Sequence, residues 1–146
     1  MLDKIKLEHI LFLDIETVPQ EEFFNQMDPE MQTLWEQKTQ YQRRDEFSPE
    51  EFYDRAGIWA EFGKIVCISV GYFQVKGDIR NFRVTSFFGE EKQLLKDFNN
   101  LLNNHFSGPQ YVLCGHNIKE FDIPFIARRM IINGVSLSGK LNLFGK

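Results

Sequence analysis

Apolar residues fall along the chain in short blocks whose spacing changes from one block to the next. Residues 9–15, HILFLDI, form a short, mostly apolar run and predict a strand buried on both faces of a central sheet. Asp28-Pro29-Glu30 then supplies a cap followed by proline at the first helical position, and Met31, Leu34 and Trp35 recur at helical spacing. Ser48-Pro49-Glu50-Glu51 repeats that grammar as a capping box, with Phe52 and Ala56 behind it and an end near Gly57. Residues 63–74 and 79–88 read as adjacent strands joined through Lys76-Gly77-Asp78, a hairpin turn. Residues 90–106 are strongly helical, with Leu94, Leu95, Phe98, Leu101 and Leu102 on one face and Ser107-Gly108-Pro109 at the end. A short apolar strand follows at 111–114, then Gly115-His116-Asn117 as turn chemistry. From Phe121 the sequence FDIPFIARRMII starts an amphipathic helix that places Phe121, Phe125 and Ile126 on the sheet. Pro124 is tolerated only in a first turn, so the helix begins close to Asp122.

The order is strand, helical insertion over 20–61, strand, strand, helix, strand, helix. It predicts an α/β fold, a mixed sheet with flanking helices, in a single domain covering 1–146. Fifteen Phe and two Trp give that domain ample large apolar side chains. Cys67 and Cys114 both fall in predicted strands and read as reduced core residues of a cytoplasmic protein. No run approaches the ~20 apolar residues that span a membrane, and the opening MLDKIKLEHI is too charged for a targeting segment. A net charge of −4 argues against a protein that coats nucleic acid over its whole surface, while allowing one that holds a few nucleotides locally.

The candidate chemistry lies in two acidic motifs about a hundred residues apart. Side chains alternate along a strand, so Asp14 and Glu16 project to one side and Ile15 to the other. Two carboxylates held that close repel unless a cation neutralises them, and oxygen-only ligands suit Mg²⁺ or Mn²⁺. Asp122, at a helix start, adds a third carboxylate and is also a favourable partner for the helix dipole. Lys119, Arg128 and Arg129 are basic groups near the motifs, available to backbone phosphates or to solvent. Arg128 and Arg129 are adjacent and point in different directions, so at most one faces a substrate. In the insertion, Trp35, Tyr41 and Trp59 are placed either to stack on unpaired bases from a flap beside the site or to pack the insertion itself.

DIETVP followed by NIKEFDIPFIARR resembles the first two motifs of the DEDD 3′–5′ exonuclease superfamily, which has a ribonuclease H-like fold. Within it the likeness runs to bacterial predicted exonucleases related to the proofreading domain of family B DNA polymerases. The stretch EFGKIVCISV at 61–70 is similar to the second strand of that group, and the resemblance spans roughly residues 8 to 134. It implies metal-assisted removal of nucleotides from a nucleic acid 3′ end, single-stranded DNA ahead of RNA, in a site that holds two Mg²⁺ or Mn²⁺ ions when complete. In that site Asp14 would bridge both ions, Glu16 would bind one near the nucleophile, and Asp122 would hold the other. Ile15 and Thr17 would offer backbone amides near the 3′ end, Asn117 would orient substrate or carboxylates, and Phe121 would wedge the helix against the sheet.

The family pattern also has a third motif, a Tyr or His four residues before an Asp. No Asp, Glu, Tyr or His occurs after Asp122 in this chain. The fold is therefore expected to be C-terminally incomplete and catalysis impaired. Apolar surface is expected around the 121–132 helix and the 111–114 strand, with Val135, Leu137, Leu141, Leu143 and Phe144 of the tail available to cover part of it. Besides the exonuclease, two readings stay open: a non-catalytic metal- or nucleic-acid-binding module, and a structural domain whose acidic motifs are relics. DNA or RNA preference, oligomeric state and protein partners are left open.

Overall fold

A computed structural model describes residues 5–44 and 46–142. Among these residues four strands form one sheet in the order β3-β2-β1-β4, where β1 is Ile10–Pro19, β2 is Gly63–Lys76, β3 is Ile79–Phe88 and β4 is Val112–Cys114. β1 and β4 run parallel, with Ile10 opposite Val112 and Phe12 opposite Cys114. β2 and β3 run antiparallel from Cys67–Phe88 to Lys76–Ile79, so the hairpin loop is just Gly77-Asp78. Three α-helices stand among the described residues: α1 at Pro29–Arg43, α2 at Glu91–His105 and α3 at Asp122–Ile132. Backbone contacts sort the chain into two compact units, Met1–Glu16 with Ile65–Lys146, and Thr17–Lys64.

In the first unit the core is built from alternate β1 residues Leu11, Leu13 and Ile15, from Ile65, Ile68 and Val70 of β2, and from the apolar faces of α2 and α3. α2 packs against β3 and α3. Phe12, Asp14 and Glu16 lie on the opposite side of β1, half-buried or exposed. The prediction of burial on both faces is corrected here: β1 is interior to the sheet yet buried on one face only. α2 begins with Glu91, whose carboxylate accepts from Ile65 N–H (2.8 Å), Arg129 Nε (2.8 Å) and Asn133 Nδ2 (2.9 Å), with Arg129 Nη2 on its second oxygen. Burial opposes the Glu91 charge, but the hydrogen bonds from Arg129, Ile65 and Asn133 and the Arg129 charge outweigh it. They hold the carboxyl below its ordinary range. One acidic side chain thus ties β2, α2 and α3 together.

α3 stops in a Schellman turn, with Gly134 at φ +64°, Gly134 N–H on Ile131 O and Val135 N–H on Met130 O. The chain then folds back. Asn99 Nδ2 donates to Ser136 O, Lys140 Nζ donates to Gly108 O and Tyr111 O, and Val135 and Leu141 are buried. The expected exposure around α3 is met in part: Ile131, Ile132 and Leu137 remain open, while Ile123, Phe125, Ile126 and Met130 are buried. Leu143 and Phe144 lie outside the described residues. The larger apolar exposure is on β3, at Ile79, Phe82, Val84 and Phe88.

The second unit has its own core around Trp35, which is wholly buried among Met27, Phe52, Tyr53, Ala56 and Phe62. Its indole N–H donates to Pro49 O (2.8 Å). Asp28 caps α1 through Glu30 N–H (2.9 Å), as the sequence predicts. Ser48 and Glu51 exchange the two hydrogen bonds of a capping box (2.8 and 3.1 Å), but the turn they open is a 3₁₀ helix, Glu51–Ile58, rather than an α-helix. Trp35 is therefore a core residue and no stacking surface, while Tyr41 is 86% exposed.

Candidate metal and nucleic-acid site

The site is set by a close approach of two chain segments. β4 runs parallel to β1, and directly after it comes Gly115. A Cβ on Gly115 would collide with the Leu13 carbonyl oxygen and with Ile118 Cγ2. Only glycine lets the turn lie against the peptide that leads into Asp14. Two residues on, Asn117 takes the left-handed conformation (φ +53°), and its carbonyl accepts from Glu120 N–H (3.1 Å) and Phe121 N–H (3.0 Å). That turn delivers Asp122 to the first position of α3.

Asp122 is 3% exposed, and its Oδ1 accepts the Ile15 N–H at 3.2 Å across 107 residues of sequence. Burial pushes the Asp122 carboxyl above its ordinary range, and the charge of nearby Asp14 pushes the same way. Its own amide, the Ile15 amide and the charge of His116 oppose the rise. A buried carboxyl raised beside another carboxylate is the electrostatic state that a bound cation relieves. The donors are hard oxygens, which fits Mg²⁺ or Mn²⁺. Among the described residues, however, no three His, Cys, Asp or Glu side chains stand close enough to form a ready-made metal centre.

Asp122 thus sits against the backbone of the residue that follows Asp14, and Asp14 and His116 line one groove. Glu16 is exposed on the Asp14 side of β1, Thr17 opens the second unit and is half-buried, and Asn117 is exposed on its turn. Phe121 is half-buried, with its ring 5.5 Å from that of Phe125. The Ile15 amide, expected to face a 3′ end, instead donates to Asp122. It positions a carboxylate because its strand side faces the helix start. Of the three basic groups left open between phosphate and solvent, Arg129 is committed to Glu91, whereas Arg128 and Lys119 are exposed. Cys114, expected in the core, is exposed because β4 is a short edge strand, and Cys67 is half-buried. The turn residues Gly115 and His116 carried no site assignment in the sequence. The signal for Gly115 was there, a glycine at the end of a strand.

The chain matches the family described as DNA polymerase family B, exonuclease domain, over residues 9–146. It belongs to that family. Membership makes it a 3′–5′ exonuclease domain of the DEDD type, related to family B polymerase proofreading domains, and its mixed four-stranded sheet with flanking helices is the ribonuclease H-like α/β fold. Exonuclease domains act on nucleic acid, and the family is typically dependent on divalent metal. No curated protein matches the sequence significantly. Among the described residues, no helix is long and apolar enough to cross a membrane.

Proposed function

We propose that this exonuclease domain removes nucleotides from the 3′ end of single-stranded DNA, and that Asp14, Glu16 and Asp122 hold Mg²⁺ or Mn²⁺ for the reaction. The observation that carries the reading is the hydrogen bond from Ile15 to Asp122, which sets two acidic motifs 107 residues apart beside one another. The metal would supply an activated water and a counter-charge for the leaving 3′ oxygen. Asp14 and Glu16 would approach it from one face of β1 and Asp122 from the head of α3, with its second position fixed by the Ile15 amide. Asn117, held in a rare backbone conformation on the exposed turn, would orient substrate, as would the Thr17 amide. Phe121 would brace the head of α3 against Phe125.

The absence of a three-carboxylate cluster among the described residues favours one competing reading, a module that binds metal or nucleic acid without cutting. Hydrolysis of 3′-labelled single-stranded DNA and RNA, with Mg²⁺ or Mn²⁺ and with each removed by chelator, separates the two. The exonuclease reading requires release of labelled mononucleotide that disappears in Asp14→Ala. Binding without any release, at any metal concentration, supports the module.

A further inference from the structure

We infer that the outer edge of β3 docks an extended, acidic segment of a partner protein, which adds to the sheet as a strand beside Ile79–Phe88. Such docking needs neither metal nor cleavage.

β3 is the terminal strand of the sheet, with β2 as its one neighbour among the described residues. Its ladder to β2 runs through ten consecutive pairs, from Cys67–Phe88 to Lys76–Ile79. Backbone groups point alternately to the two sides of a strand, so half of the β3 N–H and C=O groups face outward. Proteins commonly close such an edge with a proline, a bulge or a covering segment. β3 has no proline, its pairing has no bulge, and nine of its ten residues are exposed. Side chains alternate, so Arg80, Val84 and Phe88 share one face while Ile79 and Arg83 share the other. Val84 is 68% exposed, Ile79 64% and Phe88 79%, so apolar surface flanks the edge on both faces.

Charge names the occupant. Between Ile79 and Phe88 stand two arginines and no carboxylate. Among the described residues neither arginine is in an ion pair, and Arg83 reaches only Gln74 Oε1, at 3.4 Å. A second copy of β3 would bring two more arginines and no counter-charge, and like charges set opposite one another destabilise a strand pair. Nucleic acid would answer the arginines and the outward N–H groups with its phosphates, but phosphates offer no donor to the outward carbonyls and no cover for Ile79 and Val84. An extended polypeptide with two Asp or Glu residues three positions apart, among β-branched residues, satisfies the backbone, the charge and the apolar flanks together.

The probe is a ten-residue peptide of Val and Thr carrying two Glu three positions apart, titrated into the isotope-labelled chain while amide resonances are followed. Saturable shifts should centre on residues 79–88. The exposed double variant Arg80→Glu with Arg83→Glu should lose at least about fivefold in affinity for this peptide, and should gain about as much for the same peptide with Lys in place of Glu. That exchange of preference separates a lost contact from a misfolded variant. N-methylation of two adjacent central amides of the peptide blocks both of its edges and should abolish binding. The assignment is overturned if the Glu and Lys peptides bind the unchanged chain alike, if the N-methylated peptide binds as well as its parent, or if no peptide binds at millimolar concentration. Shifts of the same amides by an oligothymidylate, lost in the double variant, would give the edge to nucleic acid instead. Broadening of the β3 amides that grows with protein concentration alone would give it to a second copy, and either result also overturns the assignment.

Discussion

The two compact units use aromatic residues in opposite ways. Between Thr17 and Lys64, Trp35, Phe52, Tyr53 and Phe62 are turned inward, and even the Trp35 indole N–H is satisfied by Pro49. In the sheet unit, Phe12, Phe73 and Phe82 sit on the face away from the helices, with Phe12 edge-on to the other two, and remain partly open to solvent. The first arrangement spends its rings on stability, as a small core must. The second leaves ring surface exposed on the sheet face that carries Asp14. Aromatic content alone therefore does not tell a core ring from an exposed one; the element and face that carry the ring decide.

The sharpest test of that contrast is Trp35→Ala, which should cost about 3–5 kcal/mol because it empties a fully buried site. Thermal or urea unfolding measures it, and a loss under about 1 kcal/mol would mean that the Trp35 cluster does not hold its unit together.

Next in size is Glu91→Gln in the sheet unit, expected to cost about 2–3 kcal/mol, below the full loss of a buried pair since Glu91 keeps some solvent contact. Folding lowers the Glu91 pKa, so the folded state favours the charged form. Its stabilising contribution is complete above the ordinary carboxylate range and drains away as pH falls through the depressed folded value. Glu91→Gln should accordingly flatten the acid side of the stability–pH curve. An unchanged acid limb would show that the Arg129 pair does not shape it.

Gly115→Ala should cost about 1–3 kcal/mol, since the new methyl meets the Leu13 carbonyl and Ile118 rather than open space. It should also disturb the Leu13–Asp14 peptide, seen as shifted Asp14 and Ile15 amide resonances. Unmoved resonances would show that Gly115 does not set the position of Asp14. Smallest of all, Phe82→Leu should change stability by less than about 0.5 kcal/mol, because the ring is half in solvent already. A large loss would turn Phe82 into a core residue and erase the contrast with Trp35.

How much of this could be read from the sequence depended on the range of the interaction. Asp28 capping α1, the Ser48–Glu51 box, the Gly77-Asp78 turn and the start of α3 at Asp122 are local, set by residues within four positions, and they stand in the structure as predicted. The box opened a 3₁₀ rather than an α-helix because capping fixes where a turn starts and leaves its pitch open. The misread features were long-range. Arg129 was left between phosphate and solvent, with neither reading anticipating an ion pair, because Glu91, its partner, lies 38 residues away. The Ile15 amide was assigned to substrate because Asp122 reaches it from 107 residues along the chain. Apolar runs gave strand positions without saying which sheet face would be covered, so the exposure of Cys114 and the open face holding Phe12 and Phe82 were invisible. Asp14, Glu16 and Asp122 stood out as carboxylates closing an apolar run and opening a helix, although β1 runs on to Pro19, and nothing in their spacing gave the distances between them.

The central claim is that Asp14, Glu16 and Asp122 form one divalent-metal site. Titration with Mn²⁺, followed by paramagnetic broadening of amide resonances in the unchanged chain, Asp14→Ala and Asp122→Asn, tests it most directly. The account predicts saturable broadening centred on the amides of residues 14–16 and 115–122, weakened at least about tenfold in affinity in both variants. Equal broadening in all three proteins, or broadening centred elsewhere, would contradict a shared site.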